Sequence, residues 1–130
     1  MPKVTHYPPE LAFDPSPVNR APLRRVIVET PYRGDVAANV TYARACLRDC
    51  LKRGEAPLAS HLLYTQPGVL DDEQSEEREL GITAGLAWLE VAEATVVYVG
   101  RGVSDGMRRG IEAARAAGRP VEFRLLGTGE

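Results

Sequence analysis

The chain has 130 residues, 44% of them hydrophobic and 26% charged, with a formal net charge of −2. That is the size and composition of one folded domain, which excludes two independent cores and extensive disorder. The charge gives no global attraction for a phosphate backbone, and the Arg24–Arg25 and Arg108–Arg109 pairs read as solvated surface, so no nucleic-acid partner is expected.

No apolar stretch approaches the roughly 20 residues that span a bilayer, and Met-Pro-Lys-Val at the start lacks the hydrophobic segment of a secretion signal. The expectation is a cytoplasmic protein with no membrane contact. Cys46 and Cys50 lie four apart in one helical pattern, a spacing that suits neighbouring buried positions rather than a disulfide, and no companion His or Cys motif suggests a metal.

Residues 1–23 carry six prolines and read as an arm, with Tyr7, Leu11 and Phe13 available to pin it to the domain or to a neighbouring subunit. The domain itself is expected over 24–130. Arg25–Glu29 is a short β-branched strand that opens into the turn Thr30-Pro-Tyr-Arg-Gly-Asp35. Asp35 can cap a helix whose apolar positions Val36, Val40, Ala43, Leu47, Cys50 and Leu51 share a face and which Gly54 stops.

Ala56–Ser60 is a second strand, confined to an edge by Pro57, and His61–Gly68 is a loop. The acidic stretch from Asp71 to Glu79 leads into a helix in which Leu80, Ala84, Ala87, Trp88 and Val91 share a face. Thr95–Val99 is continuously apolar, as a strand covered on both faces should be. Gly100–Gly106 forms a loop, Met107–Ala117 a helix, and Val121–Leu125 a last strand. This β-α-β-α-β-α-β order points to a doubly wound parallel α/β sheet of four to five strands with helices on both faces.

Ligands of such sheets bind beyond the C-terminal strand ends, which selects the 30–35, 61–66 and 100–106 loops. Tyr32 can stack on a base and Arg33 can meet a phosphate or carboxylate. His61 is a base, a ligand contact or a hydrogen-bonded loop residue. Ser104, Asp105, Gly106 and Met107 lie where a helix begins, so their backbone N–H groups can hold an anion, while Ser104 or Asp105 can equally cap the helix.

Pro31–Gly34, Pro57–Tyr64, Glu76–Gly81, Ser104–Met107 and Gly118–Val121 together resemble small bacterial and phage domains of unknown function related to the nucleoside 2-deoxyribosyltransferases. The resemblance covers about residues 24–125. It implies a flavodoxin-like fold, a homo-oligomer, and a site for a nucleoside or nucleotide with no cofactor. In that superfamily a glutamate attacks the anomeric carbon of the sugar, and the matching position here is Gly110.

Glu112, two residues on, should point to nearly the opposite side of the helix. Glu29 and Asp72 are the other carboxylates able to reach the site. Two functions follow as expectations. One is an N-glycosidase or deoxyribosyltransferase-like enzyme using Glu29, Asp72 or Glu112. The other is a non-catalytic sensor or sequestering protein for a nucleotide.

Overall fold

A computed structural model describes residues 22–127, so residues 1–21 of the arm, with Tyr7, Leu11 and Phe13, lie outside the described residues. The elements are β1 (Arg24–Glu29), α1 (Val36–Lys52), β2 (Glu55–Leu58), α2 (Ser60–Leu63), α3 (Ser75–Ala87) with a 3₁₀ turn (Trp88–Glu90), β3 (Ala94–Tyr98), α4 (Asp105–Ala116) and β4 (Val121–Arg124). All four strands are parallel in the order β2-β1-β3-β4. This is the doubly wound α/β sheet expected from the alternation of elements. Pro57, which has no N–H to give a second neighbour, sits in the edge strand β2.

Alternation along the central strands divides the core into two layers. Val26, Val28, Ala94, Val96 and Tyr98 pack toward Cys46 and Cys50 of α1. On the other face Ile27 joins Leu89, Ala92 and Ala114, and Val97 joins Met107 and Ile111. Both cysteines are buried free thiols, and burial pushes them up to about 12 and about 11. Among the described residues no helix is long and apolar enough to cross a membrane.

Three expectations are corrected here. His61 is not in a loop: Ser60–Leu63 closes a single helical turn immediately after β2. The inward face of α1 is Asn39, Ala43, Cys46 and Cys50, while Val36 and Leu51 at its ends are exposed. In α3 the stripe Leu80, Trp88 and Val91 faces outward. The inward side instead carries Gly81, Ile82, Gly85 and Leu86, because a cavity rather than a solid core lies under this helix.

The α1 face also holds an ionic cluster. Arg124 donates to both Glu55 oxygens at 2.7 and 2.5 Å and to Glu122 at 3.1 Å. Arg24 in turn pairs with Glu122 at 2.5 Å. The Tyr98 hydroxyl donates to Asp49 at 2.7 Å, and Asp49 accepts from Arg53 at 2.9 Å. The cluster ties both edge strands and the end of α1 to the centre of the sheet.

Thr95 is fully buried on the opposite face, and its Oγ1 has no hydrogen-bond partner among the described residues. A buried hydroxyl without a partner costs roughly 1–3 kcal/mol. Thr95→Val keeps the shape and removes that cost, so it should raise the melting temperature; a lower one in a thermal scan would show that the hydroxyl is satisfied in solution.

Candidate functional site

A cavity of about 320 Å³ opens on the α3/α4 side of the sheet at the C-terminal end of β1. Its walls come from β1, β3, α2, α3 and the first turns of α4. Tyr32, Arg33, His61, Asp72, Ser104, Asp105, Gly106 and Met107 all line it together with Glu29. The sheet topology accounts for this convergence: β1 is central, so the turn after it meets the turn after its neighbour β3.

The first turn is fastened from below. Asn39, buried on α1, donates its side-chain amide to the carbonyls of Tyr32 at 3.0 Å and Arg33 at 3.1 Å, and its Oδ1 accepts from Arg101 of the third loop at 2.9 Å. Gly34 at φ +100° permits the sharp reversal into the cap Asp35, which accepts from Ala38 N at 3.2 Å. One buried amide thus holds two of the three site loops in register.

His61 Nε2 is hydrogen-bonded to the buried Thr30 Oγ1 at 2.5 Å, and its ring meets Tyr32 edge-on at 6.5 Å between centroids. Burial pulls its pKa down to about 4, so at neutral pH it is an uncharged hydrogen-bonding group and no cationic partner for a phosphate.

At the mouth Asp72 lies 3.3 Å from Arg33 and 3.9 Å from Arg78. It is a counter-ion between two guanidinium groups rather than a free carboxylate. Arg33 is more than half exposed, whereas Arg78 is largely shielded and reaches the first turn of α4 beside Gly106. Ser104 caps α4, its Oγ accepting from Met107 N at 3.2 Å. The Asp105 carboxylate is almost fully exposed and sits 3.8 Å from Arg108, and the Met107 side chain belongs to the core against Val97 and Ile111.

Glu112 is exposed and is not among the cavity residues, as its offset around α4 from Gly110 requires. Glu29 is the contrasting carboxylate. It ends β1 with its side chain turned to the cavity, it has no hydrogen bond or ion pair among the described residues, and desolvation lifts its pKa to about 8.

The space for the Glu29 carboxyl exists because residue 110 is glycine. A Cβ on Gly110 would fall within 2.5 Å of the Glu29 Cδ and still closer to one of its oxygens. Gly85 plays a similar part between α3 and α2, where a Cβ would lie 2.8 Å from that of Ser60.

Residue-by-residue reading missed Asn39, Thr30 and Arg78. Asn39 had a signal, since it is a polar residue on what proves to be the inward side of a helix. Thr30 had one only as the residue after a buried strand. Arg78, inside a run of glutamates, looks like solvated helix surface until α3 is placed against the start of α4.

These features define a doubly wound α/β domain with a side-chain-lined cavity on one face of the sheet. The chain belongs to the family described as Domain of unknown function (DUF7768), whose model matches residues 24–124. Among solved structures it is similar to a 2-deoxyribosyltransferase of the psychrotolerant bacterium Bacillus psychrosaccharolyticus, with 22% identity, a TM-score of 0.56, and coverage of 82% of this chain and 74% of that one. No curated protein matches the chain.

Proposed function

We propose that the cavity binds a nucleoside or nucleotide and promotes cleavage or transfer at its N-glycosidic bond. The observation that carries this reading is the mixed lining of the cavity. Charged Arg33, Asp72, Arg78 and the α4 start share it with apolar Ile27, Ile82, Leu86 and Leu89 and with Glu29, a carboxyl that has no ion pair among the described residues. A nucleoside combines the same chemistries: a polar sugar edge, an anomeric centre, and a flat base with apolar faces. Neutral His61 and Thr30 offer hydrogen bonds to such a ligand beside the Tyr32 ring.

The test is to incubate the protein with purine and pyrimidine nucleosides, their 2′-deoxy forms and their 5′-monophosphates, following free base and thermal shift together. Base release with turnover supports the reading. Saturable stabilisation without release selects a second reading, a nucleotide-binding protein without turnover, which is favoured by one observation: the α4 position expected to carry a glutamate nucleophile is Gly110. Neither effect with any of these compounds overturns both.

The two arginines at the mouth should differ. Arg78 is the more shielded and lies against the α4 start, so Arg78→Ala should weaken a 5′-monophosphate by about tenfold to a hundredfold while changing the nucleoside little, the scale of a lost charge-assisted hydrogen bond. Arg33→Ala should show the same contrast to a smaller degree, because solvent screens it. Equal losses for nucleoside and nucleotide, measured by calorimetry, would remove both as phosphate partners.

A further inference from the structure

We infer that Glu29 is the reactive carboxyl of this site, and that the strand β1 supplies it into a volume that Gly110 leaves empty on α4. The inference rests on the reading of the cavity as a nucleoside or nucleotide site and goes beyond it by naming the group that does the chemistry. Three observations carry it.

Among the described residues Glu29 is the cavity carboxylate with neither an ion pair nor a hydrogen bond. Asp72 is shared by two arginines, and Asp105 stands in solvent beside Arg108. Glu77 accepts from the backbone of Asp71 at 2.8 Å. Glu29 is therefore the one with no partner to give up when a positive charge develops on a bound sugar.

Its position is fixed by packing rather than by polar bonds. Glu29 lies in register with Val97 of β3, and the flat surface of Gly110 on α4 closes one side of it. The α4 helix accepts a poor helix former in its interior at the one place where any side chain would strike the carboxyl.

Its environment also suits the task. A largely desolvated carboxyl that pairs with no cation is costly to ionise, and it is drawn to ionise when a positive charge forms directly beside it. The Glu29 oxygen bonds to the anomeric carbon while the carbon–nitrogen bond breaks; the bonding pair leaves with the base nitrogen, and the proton given up by the Glu29 carboxyl passes through water to that nitrogen. A water then adds to the anomeric carbon, the Glu29–carbon bond breaks, and the proton shed by that water returns to the carboxyl, leaving free base and free sugar, a net hydrolysis of one glycosidic bond.

The test moves the carboxyl from one element to the other. Base release from the nucleoside and nucleotide panel is followed for wild type, Glu29→Gln, Glu29→Ala and the double variant Glu29→Ala/Gly110→Glu, each with its melting temperature. The expected result is a loss of roughly a hundredfold or more in kcat for Glu29→Gln and Glu29→Ala without a lower melting temperature. The double variant should regain about tenfold over Glu29→Ala, since its carboxyl enters the vacated volume.

Gly110→Ala should lower the melting temperature in the presence of Glu29 and raise it in the Glu29→Ala background, a readout that needs no activity. Base release by Glu29→Gln within about threefold of wild type would overturn the inference while leaving the cavity reading intact. Binding without base release in wild type would overturn it as well. Additive melting temperatures for Gly110→Ala and Glu29→Ala would show that the two residues do not share the volume.

Discussion

Between pH 6.5 and 8 the protein should lose up to about 2 kcal/mol of stability, and Glu29→Gln should lose almost none. Glu29 is raised from 4.5 to about 8, so the folded state holds a proton that the unfolded chain has released. Its contribution is complete below pH 4.5 and is lost as pH rises toward 8. His61 is lowered from 6.5 to about 4, so its contribution is complete above pH 6.5 and is lost as pH falls toward 4.

The two slopes oppose one another between the ordinary carboxylate and imidazole values, which gives a plateau there and a decline on the alkaline side. Chemical denaturation at half-unit steps of pH checks both halves. A wild-type curve that stays flat from pH 6.5 to 8 would mean that water or a counter-ion reaches Glu29 and keeps it ionised.

The largest loss of stability is expected on the other face of the sheet. Arg124 and Glu55 are 10% and 6% exposed, and the guanidinium holds both carboxylate oxygens. Arg124→Met should cost about 3 kcal/mol or more at pH 7, because it leaves Glu55 buried with only Arg24 at 3.6 Å.

The bidentate hydrogen bond from Arg124 holds the Glu55 carboxyl below its ordinary range. That contribution is present above the ordinary value and fades as pH falls, so wild type and variant should converge in acid. Adding Glu55→Gln to Arg124→Met should recover part of the loss, since no buried charge then remains alone. A cost below about 1 kcal/mol in urea unfolding would place this pair with ordinary surface ion pairs.

The alternation of apolar strands and capped helices was legible because each device is local. The β-branched run before Thr30, Asp35 as a cap and the apolar Thr95–Val99 run all declare themselves within a few residues. The cavity loops were legible as well, because a parallel sheet sends its strand ends to one side.

The face of α3 was not. The stripe Leu80, Trp88 and Val91 points outward, while the inward side sets Ile82 and Leu86 beside two glycines that make room, so apolar residues lie on both sides and periodicity picks the wrong one. The relation between Glu29 and Gly110 was equally hidden. It joins residues 81 positions apart through empty volume, and empty volume leaves no mark in composition or spacing.

The alternation of β1 has a further consequence for how faithfully the chain folds. Ile27 and Glu29 face the cavity, while Val26 and Val28 face the valines and cysteines under α1. A slip of β1 by one residue against β2 and β3 would exchange the two sets and drive a carboxylate into the layer around Cys46 and Cys50. In its own register the Glu29 carboxyl keeps contact with an open cavity, whereas in the solid layer around Cys46 and Cys50 it would lose that contact, an added cost that the slipped strand does not recover. The carboxyl at the end of the central strand therefore also helps to fix the register of the sheet.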